Sequence, residues 1–178
     1  PDLHIVAMIR AVDVERLHKR VGKLLAAHWG EDADAVRDRF TFVRGDLLKE
    51  KLGLSEEDRE LIVTKCDAVL HCAASVDFGA TLEFSREYNL DGTRRVLELC
   101  EAMGDRLERL DYISTAYVSG NRSDVCREDE LSNRGLGWAN FYEQSKFEAE
   151  ALVRAYREQG GPVSVYRPST VVGDSRTG

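Results

Sequence analysis

The sequence predicts an α/β fold on a doubly wound, mostly parallel sheet. Short β-rich runs alternate with longer segments of helical periodicity, and cap residues and glycines punctuate the two. Small and hydroxyl-bearing residues follow the apolar runs, at the points where the strands of such a sheet end.

Leu3 to Ile9 reads as a buried strand. From Asp13 to His28 the residues Val14, Leu17, Val21, Leu24 and Leu25 recur at helical spacing. Phe40 to Val43 is a second strand, and Ser55 with Asp58 forms a capping box opening a short helix. A third strand lies within Asp67 to Ala74. Thr93 to Met103 is helical, with Val96, Leu97, Cys100 and Met103 on one face. Leu110 to Thr115 is a fourth strand. A long helix runs from near Phe141 to Arg157 and ends at Gly160-Gly161. Val163 to Arg167 is a fifth strand, closed by Pro168. The polar stretch Gly120 to Gly137 reads as a surface loop beside the site. There is no internal repeat, low-complexity tract or linker.

With 178 residues the chain can bury a sizeable core. Its net charge of −7 argues against a nucleic-acid or anionic-membrane partner, since both require a basic surface. Any cationic cluster in a pocket is therefore a local feature. The four cysteines form no C-x-x-C pair, and no histidine stands at zinc-ligand spacing, so no metal site is expected. They read as free thiols of a reducing, cytoplasmic setting. No apolar run is long enough to span a membrane, and no signal peptide is expected.

Tyr142 and Lys146 stand four residues apart on the long helix, on one face and one turn apart. An ammonium near a phenol favours the phenolate, which makes a tyrosine a usable acid or base near neutral pH. Ala149, Val153 and Tyr156 continue the stripe, so this face packs inward. Ser114 and Thr115 end the fourth strand, where the ligand crevice of an open α/β sheet lies. Their hydroxyls either donate to a developing oxyanion or satisfy a turn. After the third strand, Ala73, Ala74 and Ser75 are small enough to let a ring or ribose approach the backbone. His71 reads as a hydrogen-bonded core histidine, since no carboxylate stands at a recognisable spacing. Arg10 closes the first visible strand, where an arginine suits the 2′-phosphate of NADP, and Arg20 could add a second charge. Both could equally be solvated surface residues. Asp46, after Gly45, could accept from an adenine amino group or could form a turn.

A dinucleotide fold opens with a strand, a glycine-rich turn and a helix whose N-terminus holds the pyrophosphate. No such glycine pattern occurs here. The sheet is therefore expected to be incomplete at the N-terminus, starting before its second strand. The isolated chain is expected not to bind a dinucleotide in the usual way.

Together these segments resemble the extended short-chain dehydrogenase/reductase superfamily, and within it the thioester reductase and fatty acyl-CoA reductase ("male sterility") branch. The superfamily pattern is carried by Tyr142-x-x-x-Lys146, Gly45-Asp46-Leu47, His71-Cys-Ala-Ala74, Asn89-Leu-Asp-Gly92-Thr93 and Arg167-Pro168. The branch pattern is carried by Arg10 with Arg20, Leu52-Gly-Leu-Ser-Glu-Glu57, Ala74-Ser-Val-Asp-Phe78 and Ser114-Thr-Ala-Tyr-Val118.

The resemblance implies a Rossmann-like domain over residues 1–178, lacking its glycine loop and a C-terminal substrate region. It implies that Thr115, Tyr142 and Lys146 are catalytic, with Asn89 supporting the active-site strand. Arg10 and Arg20 would hold the 2′-phosphate of NADPH, and Asp46 with Leu47 the adenine. Ala73, Ala74, Pro168 and Ser169, with Tyr142 and Lys146, would line the nicotinamide and its ribose. The implied reaction is NADPH-dependent reduction of an acyl thioester, on coenzyme A or an acyl carrier protein, to aldehyde or alcohol. The alternatives are another extended-family enzyme acting on a nucleotide sugar or hydroxysteroid, or a non-catalytic binding module of the same fold.

Overall fold

The structure is a computed structural model that describes residues 3–173. The chain divides into two compact units, Pro1–Cys66 and Asp67–Gly178.

The first unit begins with β1 (Ile5–Ile9), followed by α1 (Val14–Trp29), the short α2 (Ala33–Arg37), β2 (Phe40–Arg44) and α3 (Glu56–Lys65). β1 and β2 pair in parallel, from Ile5 against Phe40 to Ile9 against Arg44. Asp13 caps α1 by accepting the Arg16 N–H at 2.7 Å, and such a cap contributes about 1 kcal/mol. The apolar stripe of α1 buries Leu17, Val21 and Leu25 against Ile9, Ala11, Ala33 and Phe42. Ser55 caps α3 as expected, though Asp58 bonds to its hydroxyl and not to its backbone N–H. Ser55 accepts the Asp58 N–H at 3.1 Å and donates its own hydroxyl to the Asp58 carboxylate at 2.7 Å. Between β2 and α3 the chain turns tightly through Lys51 and Leu52, both with positive φ. A Cβ at Gly45, at the exit from β2, would make the Met8 side chain move and would crowd the Leu52 carbonyl.

The second unit holds β3 (Ala68–His71), the short α4 (Leu82–Ser85), a π-helical segment (Arg86–Asp91), α5 (Gly92–Met103), β4 (Arg109–Ile113), α6 (Phe141–Glu158) and β5 (Val163–Tyr166). Its three strands are parallel in the order β3-β4-β5, with Ala68 against Arg109 and Leu110 against Val163. The core is built from Val96, Leu97, Cys100 and Met103 of α5, Leu110 and Tyr112 of β4, and Ala149 and Val153 of α6. Val21, Tyr112, Ala149 and Val153 are all at or below 1% exposed, which marks these helix stripes as the packed faces.

Every strand pair in both units is parallel and is joined through helix, which makes this a doubly wound, Rossmann-type α/β fold. The strand adjacencies are those of strands two with three, and four with five with six, in the 3-2-1-4-5-6 order of that fold. Among the described residues, no strand pairs with the second edge of β1 or of β3. The helical content between Leu82 and Asp91 and the helix at Ala33 were not expected from periodicity. Both are short, and α4 is set by a local cap, Thr81 accepting the Phe84 N–H at 3.2 Å.

Candidate active site and anion cleft

In the second unit, β4 delivers Ser114 and Thr115 to its carboxyl end, and both side chains are buried. Thr115 is extended and caps the single 3-10 turn that follows, accepting the Tyr117 N–H at 3.3 Å. Asn140 caps α6 by accepting the Glu143 N–H at 3.0 Å, and Glu143 returns to the Ala139 N–H at 3.0 Å. This box fixes the first turn of α6, where Tyr142 sits half-buried. The Thr115 hydroxyl stands near the Tyr142 phenol and favours its ionised form. Phe78 packs edge-on against the Tyr142 ring, with 5.5 Å between centroids. Burial raises the Tyr142 phenol above the ordinary tyrosine value, and the Thr115 hydroxyl only partly opposes it.

Lys146 lies one turn further along and is 4% exposed. Its ammonium donates to the Tyr112 hydroxyl at 3.0 Å and to the Ile113 carbonyl at 2.8 Å, and stands 4.4 Å from the Tyr112 ring centroid. Burial lowers its pKa to about 8, against the opposing pull of Glu150 and Cys72. The expectation that Lys146 lowers the Tyr142 phenol is corrected on both counts: the phenol is raised, and the ammonium bonds to β4. The reason is physical. A buried ammonium must find acceptors, and the carboxyl end of β4 supplies two. The expected pairing required only helix spacing and took no account of what the strand offers.

Tyr112 is the site residue that periodicity missed, since it reads simply as strand core. Its hydroxyl joins a buried chain. The Thr93 hydroxyl favours ionisation of Tyr112, His71 Nε2 lies 3.0 Å from the Thr93 hydroxyl, and Thr93 donates to the Asn89 carbonyl at 2.6 Å. Burial, and then the Lys146 charge, depress His71 to about 3, so it stands as a neutral core histidine.

Asn89 is 2% exposed and ties the loop after β3 to α6. Its amide accepts the Ser75 N–H at 2.8 Å and donates to the Ser75 carbonyl at 3.0 Å and the Ser145 hydroxyl at 2.9 Å. It bonds to neither Tyr142 nor Lys146, so it positions the site and does not face the reacting atoms. Ser114 donates to Glu150 at 2.6 Å, so its hydroxyl is structural and Thr115 alone is turned to Tyr142. Ala73 and Ala74, after β3, and Pro168 and Ser169, after β5, are exposed at the carboxyl ends of their strands.

The first unit carries a cleft of about 610 Å³ lined by Arg10, Arg16, Arg20, Arg44, Lys49 and Asp46, among others. Five cations face one carboxylate there, in a chain whose net charge is −7. Arg20 donates to the Arg10 carbonyl at 2.9 Å, and Arg44 donates to the Val12 carbonyl at 3.1 Å. Each of these guanidinium groups therefore has one donor committed to backbone out of five. Arg16, Arg44 and Lys49 are additions to the two arginines the sequence singled out. Asp46 lines the cleft, but its Oδ1 accepts the Leu48 N–H at 3.0 Å, which is the turn role. Leu47 is 8% exposed and packs inward, so an adenine would meet at most its backbone. The donor set fits a phosphate.

Parallel strands with Thr115 at the carboxyl end of β4, and Tyr142 and Lys146 one turn apart on α6, define a Rossmann-type α/β domain. The family described as Male sterility protein matches residues 1–178, and the chain belongs to that family. It is 32% identical to the Nonribosomal peptide synthetase asaC of Aspergillus flavus over 100% of this chain and 18% of the relative. It is 31% identical to Fatty acyl-CoA reductase 1 of Mus musculus over 62% of this chain and 21% of that protein. Among solved structures, the terminal R domain from the myxalamid PKS-NRPS biosynthetic pathway aligns with a TM-score of 0.84 at 34% identity. That alignment covers 98% of this chain and 44% of the other. The chain thus spans less than half the length of these relatives. Among the described residues no helix is long and apolar enough to cross a membrane, and no group of three or more His, Cys, Asp or Glu could hold a metal ion.

Proposed function

We propose that residues 1–178 belong to the NAD(P)-binding domain of an NADPH-dependent reductase acting on an acyl thioester. The thioester is held on coenzyme A or on an acyl carrier protein, and the product is an aldehyde or alcohol. The observation that carries this reading is buried Thr115 at the end of β4 beside the half-buried Tyr142 of α6, with Lys146 one turn further along the same helix face. Likeness to a peptide synthetase and to a fatty acyl-CoA reductase supports the thioester.

The nicotinamide, when bound, supplies hydride to the carbonyl carbon. The Tyr142 hydroxyl donates to the developing oxyanion and passes its proton to it, and Thr115 supplies a second donor. The raised phenol keeps Tyr142 protonated and ready to give. The Lys146 ammonium, held at the end of β4, would donate to the nicotinamide ribose. The resulting hemithioacetal collapses to aldehyde and thiol. Ala73, Ala74, Pro168 and Ser169 leave room for the nicotinamide ribose, and Asn89 holds the loop that carries Ser75. In the first unit, Arg10, Arg20 and Arg44 read the 2′-phosphate, while Asp46 and the Leu47 backbone meet the adenine. Cys66, Cys72, Cys100 and Cys126 form no disulfide among the described residues, which supports a cytoplasmic setting.

The test is incubation of the reductase with NADPH and a panel of acyl-CoA and carrier-bound thioesters. At least one should give aldehyde or alcohol. Turnover of a nucleotide sugar or hydroxysteroid, with no product from any thioester, would reassign the substrate.

A further inference from the structure

Glu150 is one turn beyond Lys146 on α6 and is fully buried, yet nothing in the proposed chemistry uses it. A lone carboxylate in such a place is costly. Here it is saturated. Ser114 donates to Oε2 at 2.6 Å, Arg154 to Oε1 at 2.9 Å, and Arg167 to both oxygens, at 3.0 and 2.6 Å. These partners lie on the β4 exit, on α6 itself and on the β5 exit. The two guanidinium groups reach further still: Arg154 donates to the carbonyls of Asp129 and Glu128 at 2.8 and 3.2 Å. Arg167 donates to the Arg127 carbonyl at 3.4 Å. One carboxylate therefore joins four segments: the residue before Thr115, the helix of Tyr142 and Lys146, the residue before Pro168, and the loop through Arg127–Asp129.

We propose that Glu150 is the positioning residue of this site: it orients the end of β4 through Ser114 and keeps the buried Lys146 amine charged at neutral pH. This rests on the reading that Lys146 works as an ammonium. The groups that act on Lys146 are Glu150 on its own helix, Tyr112 on β4, and His71 and Cys72 at the end of β3. His71 is neutral. Tyr142 and Tyr112 are held above the ordinary phenol range, both by burial. Cys72 is exposed at the surface, so Glu150 is the buried anion of the group. Burial opposes ionisation of Glu150, but the bonds from Arg167, Ser114 and Arg154 outweigh it and hold the carboxyl below the usual range. It is therefore an anion at every pH where Lys146 matters.

The test titrates Lys146 in this chain by NMR of carbon-13-labelled lysine, with the resonance assigned by its loss in Lys146→Arg. No substrate or cofactor is present, so the result is independent of the thioester reading. Glu150→Gln should lower the Lys146 midpoint by on the order of one pH unit. Glu150→Asp, which keeps the charge, should restore most of that shift. Arg154→Gln removes a cation that neutralises Glu150 and should move the midpoint upward, which keeps the proposal testable if Glu150→Gln does not fold. A carboxylate that only fastens segments together would lower the melting temperature in these variants and leave the Lys146 midpoint where it is. That result would overturn the proposal.

Discussion

The two units solve the handling of charge in opposite ways. In the first, Arg10, Arg16, Arg20, Arg44 and Lys49 all sit exposed around an open cleft. In the second, Lys146, Glu150, Asn89 and His71 are at most 6% exposed and each is bonded to a named neighbour. Exposed cations repel one another weakly in water and are screened by salt. Buried groups must be satisfied from within, so their geometry is set before any ligand arrives. The first arrangement suits recognition of a mobile anion. The second suits chemistry, where misplacement by an ångström is expensive. The contrast predicts pH sensitivity in the second unit and salt sensitivity in the first.

The largest effect should follow from Tyr142→Phe, which removes the proposed proton donor and spares its packing against Phe78. Single-turnover oxidation of NADPH should slow by about 10²–10⁴-fold, while cofactor affinity stays within a few-fold. Turnover close to that of the unmodified reductase would show that the pre-set hydroxyl is not the acid.

The next largest is a pH effect on stability. His71 is held near pKa 3 when folded and near 6.5 when unfolded, through burial and then the Lys146 charge. Between those values the unfolded chain binds the extra proton, so stability is present above about pH 6.5 and is lost as pH falls toward 3. A shift of this size corresponds to roughly 5 kcal/mol at the acid end. His71→Gln keeps a donor for Thr93 but cannot titrate. Chemical denaturation from pH 7 to 4 should give the variant a flatter stability profile than the unsubstituted chain. Parallel profiles would mean that His71 is not the buried neutral group described.

The sequence carried this contrast unevenly. Strand and helix order could be read because apolar periodicity is a local property, as in the Leu17, Val21 and Leu25 stripe of α1. The Tyr142–Lys146 spacing was legible for the same reason. What the spacing could not report was partner choice. Whether Lys146 bonds to Tyr142 or to Tyr112 depends on how β4 lies against α6, a contact across 34 residues. Ser114 and Thr115 are adjacent and chemically alike, yet one turns to Glu150 and the other to Tyr142. Strand alternation separates them, but only the fold says what lies on each side. The cleft was half legible. Arg10 and Arg20 stood out by position, whereas Arg44 ends β2 and joins the cleft because β2 pairs in register with β1, Arg44 opposite Ile9.

The smallest effect should come from that last residue. Arg44 donates once to the Val12 carbonyl and presents the rest of its guanidinium beside Arg10 and Arg20 in the cleft. A charge-assisted bond to a phosphate is worth about 1.5–3 kcal/mol when buried, and less at an exposed site. Arg44→Ala should therefore weaken NADPH binding by about tenfold and leave NADH, which lacks the 2′-phosphate, within about twofold. Arg10→Asp should discriminate in the same direction and further, because it adds a repelling charge. The contrast between the units sharpens the test. The NADPH advantage should shrink as salt rises from 50 to 500 mM, since the cations reading the phosphate are exposed and screened. The Lys146 midpoint, set by buried neighbours, should stay nearly constant over the same range. If equal losses of NADPH and NADH accompany Arg44→Ala, the cleft does not read the 2′-phosphate. If the Lys146 midpoint follows salt as closely as cofactor preference does, the two units do not handle charge differently.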